Sequence, residues 1–117
     1  MASQFTTKSD FTETFAVHIA LRAALRSKLY RKNSAVHRTA STLCKELEGE
    51  KSIYGRQLIM INAMTKGATI TELCRKLRCS RRTIFRYLNH LEEAGIDVRL
   101  DDLQYSVGSD VVRLLRH

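Results

Sequence analysis

The chain has 117 residues, enough for one ordinary domain or a small domain with an extension, and twenty Lys and Arg against twelve Asp and Glu give it a formal charge of +8. Leu, Ile, Val and Phe make up about a quarter of it, above the level at which chains stay disordered, so a packed core is expected. No Pro excludes collagen-like and Pro-rich classes, three Cys argue against a disulfide framework and for a reducing cytosol, and no apolar run approaches a membrane span. No signal-peptide pattern opens the chain, and the basic excess points to a polyanion, nucleic acid before an anionic membrane.

Residues 1–10 are polar and read as a frayed end. Residues 11–50 read as a helical extension of two helices. The first, over 12–30, carries Phe15, Ile19, Arg22, Ala23 and Leu29 at helical spacing beside Ala16, Ala20 and Ala24, with Asp10 or Thr12 as cap. The second is capped by Asn33 or Ser34 and turns Val36, Ala40, Leu43, Cys44 and Leu47 inward. Gly49, among Glu46, Glu48 and Glu50, marks a helix end and a short connector.

The pattern strengthens over 51–108. Leu58, Ile59, Ile61, Ala63 and Met64 predict a third helix, with Gly67 supplying the left-handed end that helices prefer. An extended link at 68–70 leads to a short helix started by Thr71, over 72–77. Arg78 and Cys79 make a turn, Ser80 caps a helix over 81–93, and Gly95 ends it. A two-turn helix, a tight turn and a capped longer helix have the spacing of a helix-turn-helix.

After Gly95 the period falls to two: Ile96, Val98 and Leu100, then Leu103, Tyr105 and Val107. With Asp101 and Asp102 as a two-residue turn, Leu100 faces Leu103, Val98 faces Tyr105 and Ile96 faces Val107, a hairpin with one apolar face. Residues 109–117 form an apolar tail with a short helix that Ser109 caps; Val111, Val112, Leu114 and Leu115 either close the core or meet a second protomer.

At this point the segment ATITELCRKLRCSRRTIFRYLNHLEEAGIDV resembles the winged helix-turn-helix of DeoR-type and biotin-repressor-like bacterial regulators. The likeness rests on the apolar pair Leu73 and Cys74, on Cys79 and Ser80 at the turn, and on the run Arg82, Thr83, Ile84 and Arg86, and it spans residues 53–107. It implies a mainly α fold, a winged helix-turn-helix of three helices plus a short β-hairpin wing, here with an N-terminal helical extension. It also implies a DNA-binding regulator. Tyr87 stands where that family tends to have an acid.

The residues support the same chemistry independently. Ile84, Leu88 and Leu91 fall at i, i+4 and i+7 and turn inward, leaving Arg82, Arg86 and Asn89 opposite, with Arg81 and Thr83 at the start. An arginine fork can bond guanine O6 and N7 together, and a free helix N-terminus can hold a phosphate. Arg81, Arg82 and Thr83 are therefore the expected base contacts. Arg75, Lys76, Arg78, Ser80, Arg86 and Asn89 are the expected phosphate contacts. Arg99 and Gln104 are the candidate wing contacts, because Asp101 and Asp102 at the tip would repel phosphate. Either the wing stays clear of DNA or it faces a protein.

Each signal has a plainer reading. A charge run is usually a solvated helix face, but the run at 81–86 coincides with a capped helix after a tight turn. The basic residues from Arg22 to Arg38 make either a second phosphate surface or the outside of an interaction helix. Cys74 and Cys79 pack as small hydrophobes, and no two further ligands at metal spacing accompany them, so no metal or other cofactor is expected. The four His show no catalytic pairing, and no Gly-rich phosphate loop occurs, so no enzyme is expected. The leading expectation is a sequence-specific double-stranded DNA binder, a small cytoplasmic, nucleoid-associated transcriptional regulator acting as a homodimer, with the N-terminal helices or the tail as a site for a protein partner. The alternatives are a low-specificity architectural, phage or plasmid DNA-binding protein, and a protein-interaction module in a larger complex.

Overall fold

The computed structural model describes residues 11–27, 31–49 and 52–115. The frayed reading of residues 1–10, the Asp10 cap, and Leu29 and Tyr30 at the end of the first helix lie outside them. The chain runs α1 (Phe11–Arg26), α2 (Ala35–Leu47), α3 (Ile53–Met64), α4 (Ile70–Leu77), α5 (Arg81–Glu93), β1 (Val98–Asp101), β2 (Gln104–Val107) and α6 (Ser109–Leu115). It is mainly helical with a small antiparallel sheet, the arrangement of a winged helix-turn-helix with two helices ahead of it.

Side-chain oxygens set most helix starts. Ser34, Ser52, Thr69 and Ser80 each accept from a backbone N–H three residues on. At α4 the capping is reciprocal: Thr69 accepts from the Glu72 amide and the Glu72 carboxylate accepts from the Thr69 amide. The helix therefore begins at Ile70, earlier than the Thr71 start expected, because Thr69 and Glu72 satisfy each other's free donors. Arg78, left-handed at φ 54°, ends α4, and the Cys79 N–H reaches back to the Cys74 carbonyl at 3.1 Å. Gly95 ends α5 in the same way, with Ile96 N–H on the Leu91 carbonyl at 3.0 Å.

One apolar cluster spans both parts of the chain: Phe11 and Phe15 of α1 share it with Met60, Leu73, Ile84, Leu88 and Leu91. The inner face of α1 differs from expectation. Phe11, Phe15 and His18 are buried, while Ala16, Ala20 and Ala23 are exposed. Rings bury far more area than methyl groups, and the Phe11 and Phe15 rings stack at 5.2 Å with Tyr54 of α3 against Phe11. In α2, Ala40 and Cys44 are buried as expected, but Val36 and Leu43 are 47% and 41% exposed. The small pair seats α2 on α1, and Val36 and Leu43 lie on the flank of that seam.

The connector closes tightly over α3. A Cβ on the buried Gly55 would lie 1.9 Å from the Gly49 carbonyl oxygen, a backbone atom that cannot swing away. Gly55→Ala is therefore expected to lower stability by about 1–3 kcal/mol, the usual cost of overpacking, read as a lower urea midpoint; an unchanged midpoint would mean the connector does not rest on α3 in solution.

The wing corrects the expected register. Val98 pairs with Val107, Leu100 with Tyr105 and Asp101 with Gln104, so the two turn residues are Asp102 and Leu103, both at positive φ. Tyr105 exchanges two backbone hydrogen bonds with Ala68, at 2.8 and 2.9 Å, and this bridge fixes β2 from its other side. The pairing is displaced by an even number of residues, so Val98, Leu100, Tyr105 and Val107 keep their common face. The expected contact of Leu100 with Leu103 is lost: the strands overhang the core, and the two side chains are 58% and 78% exposed.

Candidate nucleic-acid interface

Helix α5 is locked from within. Ile84, Tyr87, Leu88 and Leu91 are buried, and His90 Nδ1 accepts a hydrogen bond from the buried Gln57 amide of α3 at 3.1 Å. An Arg56 Nη of α3 donates to the Leu77 carbonyl, satisfying a free acceptor at the end of α4. Two polar clamps thus hold the pair α4 and α5 on α3. Tyr87 was not anticipated in the core, although its spacing from Ile84 and Leu91 carries that signal.

The outer face of α5 presents Arg81, Arg82, Phe85, Arg86 and Asn89, all exposed. Among the described residues, no salt bridge holds Arg75, Lys76, Arg78, Arg81, Arg82 or Arg86. The Arg86 guanidinium stands 5.8 Å from the Tyr87 ring centroid, a cation–π contact that steadies it. Phe85, 42% exposed in the middle of this basic face, is the residue that sequence reasoning missed. Its exposure beside arginines suits an apolar contact with a thymine methyl group.

The remaining site residues fall in different surroundings. Ser80 Oγ accepts from the Thr83 amide and lies 3.2 Å from Thr83 Oγ1, so both hydroxyls are engaged in the cap, and Thr83 is half-buried. Arg75 lies on the exposed side of α4. Lys76 and Arg78 line a groove with α3 rather than the α5 face. Arg99 pairs with Asp97 at 3.0 Å. Gln104 rests over Gly67: a Cβ on that glycine, at φ +82°, would lie 2.6 Å from the Gln104 Oε1.

Residues 56–105 match the family model of a helix-turn-helix domain. Over this segment, somewhat under half of the chain, the protein is similar to a helix-turn-helix domain. No curated protein and no solved structure matches the chain. Among the described residues, no helix is long and apolar enough to cross a membrane.

A buried polar junction ties α1 and α2 to this domain, which the sequence reading of the histidines missed. His18, 1% exposed, bonds Tyr54 Oη through Nδ1 at 2.7 Å and Glu48 Oε2 through Nε2 at 2.8 Å. The same carboxylate oxygen accepts from an Arg22 Nη. Burial pulls the His18 imidazole below its ordinary value, although Glu48 opposes this. The neutral ring then donates from Nε2 and accepts the Tyr54 O–H at Nδ1. Burial pushes the Glu48 carboxyl up, but hydrogen bonds from His18 and Arg22 outweigh it and hold the group below the usual range. Burial raises Tyr54 and Cys44.

His18, Cys44 and Glu48 bring ligand-type atoms within 4.8 Å of one another, but the Arg22 cation on the Glu48 oxygen opposes a metal ion there. The chemistry of the junction is that of a partly buried ion pair and a relay of hydrogen bonds.

Both groups bind protons less readily folded than unfolded, so each contributes stability that disappears on acidification. His18 acts first, as pH falls below its unfolded value of 6.5, and Glu48 follows below 4.5. The urea midpoint should therefore begin to fall from about pH 6.5, with a His18→Gln variant lacking that first part of the decline. A midpoint that is flat until the carboxylate range would contradict the assigned neutral imidazole.

Proposed function

We propose that the protein is a sequence-specific double-stranded DNA-binding protein and a small transcriptional regulator of the DeoR-type or biotin-repressor-like kind, acting by binding rather than catalysis. The observation that carries the reading is the outer face of α5: four long or amide-bearing polar side chains and one aromatic, on a helix whose opposite face is locked in the core. In this reading α5 enters the major groove. Arg81 and Arg82 read base edges with Phe85 beside them, Thr83 supports the helix start, and Arg75, Ser80, Arg86 and Asn89 meet phosphates. Asp101, Asp102 and Leu103 at the wing tip, and the pairing of Arg99 with Asp97, favour a wing that stays clear of the backbone. Two copies related by a two-fold axis would read a palindrome with half-sites about one helical turn apart.

Affinity measured across salt concentrations tests the reading. With about six phosphates neutralised, log K falls against log salt with a slope near −5. A weak, salt-insensitive association would contradict it.

A second reading draws on a separate observation: Arg31, Lys32, Arg38 and Lys45 at and along α2 are exposed. They favour a protein that coats or bends DNA with little sequence choice. Its footprint would lengthen with concentration, whereas a footprint that saturates on one short site rejects it.

A further inference from the structure

Between α3 and the end of α4 lies an open groove of about 640 Å³, lined by Arg56, Ile59, Asn62, Lys76, Leu77 and Arg78. Its composition is one-sided. Arg56, Ile59 and Asn62 recur at intervals of three along one side of α3, and Lys76, Leu77 and Arg78 close the other wall at the helix-turn-helix turn. Three side chains are cationic, one is an amide, two are aliphatic, and none of the six is acidic.

Arg56 is the fixed member. One Nη is held on the Leu77 carbonyl, while its Nε is buried with no hydrogen-bond partner among the described residues. That Nε is enclosed by the chain, so what Arg56 offers the groove is the positive charge of a guanidinium held in place by the Leu77 carbonyl. The bond from Arg56 also neutralises the partial negative charge at the end of α4, which would otherwise repel an anion.

We infer that this groove binds a phosphate group. Three positive charges favour a dianion over a single carboxylate. A tetrahedral phosphate has oxygens enough for the Lys76 ammonium, the Arg78 guanidinium and the Asn62 amide together, with the Arg56 charge beside them. The occupant would sit against Arg78, the left-handed residue that sets the angle between α4 and α5, so its binding would bear on the pose of the α5 face. The phosphate comes either from the DNA backbone or from a free phosphate-bearing ligand, and the site does not depend on the reading of α5.

The test is a titration of the full chain with inorganic phosphate, without DNA, followed by the NMR signals of the Arg56 Nε–H and the Leu77 and Arg78 amides. These should shift saturably in the millimolar range. Lys76→Gln with Arg78→Gln should weaken binding at least ten-fold, about 1.4 kcal/mol, while Arg113→Gln, exposed on α6, leaves it unchanged. Both replaced side chains are exposed and leave the Arg56 clamp in place, and an unchanged amide dispersion verifies the fold. Shifts that do not saturate, or that persist in the double variant, overturn the proposal. A duplex then identifies the source: displacement of phosphate from Arg56 assigns the groove to the DNA backbone, and simultaneous occupancy assigns it to a free ligand.

Discussion

Replacing Glu48 by alanine is expected to destabilise the protein by about 3 kcal/mol, at the lower end of the cost of breaking a buried ion pair because the carboxylate is 30% exposed. The change takes the acceptor from the His18 Nε2–H, which is fully enclosed, and takes from Arg22 the carboxylate to which it is bonded. It also loosens the junction that holds α1 and α2 against Tyr54 of α3. Glu46, exposed two residues earlier, is the control, and Glu46→Ala should stay within about 0.5 kcal/mol. Urea unfolding of both variants checks this. Equal stabilities would mean that the junction forms no part of the fold in solution.

The second large effect concerns recognition. On a duplex enriched from a random pool, Arg82→Ala should cost about 1–3 kcal/mol and relax the preference at one or two base pairs. Arg82 lies opposite the buried stripe of Ile84, Leu88 and Leu91, so truncating it removes no packing. Arg75→Ala should behave differently, weakening all sequences alike and reducing the salt slope by about one unit. Gel-shift titrations against the enriched duplex and a scrambled one separate the two. Identical losses on both duplexes from both variants would contradict the division into base and phosphate contacts.

The core of the helix-turn-helix was legible because its signals are local. Ser80 before the arginine run, Gly95 after Glu93, and the spacing of Ile84, Leu88 and Leu91 all lie within one helix and its caps. The start of α4 was legible too, in Thr69 followed three residues later by Glu72, although the Thr71 start was expected. The hairpin register was not legible. A strand pattern of period two looks the same after a shift of two residues, and the turn settles at Asp102 and Leu103 rather than one position earlier. Nor was the polar junction: His18 meets Glu48 and Tyr54 across 30 and 36 residues, and no local spacing encodes such a meeting. Val36 and Leu43 misled for another reason, since helical periodicity marks a stripe but not which edge of it meets a neighbour.

The central claim is that the outer face of α5 is the surface that meets DNA. Mapping amide and arginine side-chain NMR shifts while the chain is saturated with an enriched duplex tests it most directly. The account predicts the largest changes from Arg81 to Asn89, with the Arg82 and Phe85 side chains among them. Changes concentrated on α1, α2 or α6, with the α5 face unmoved, would contradict it.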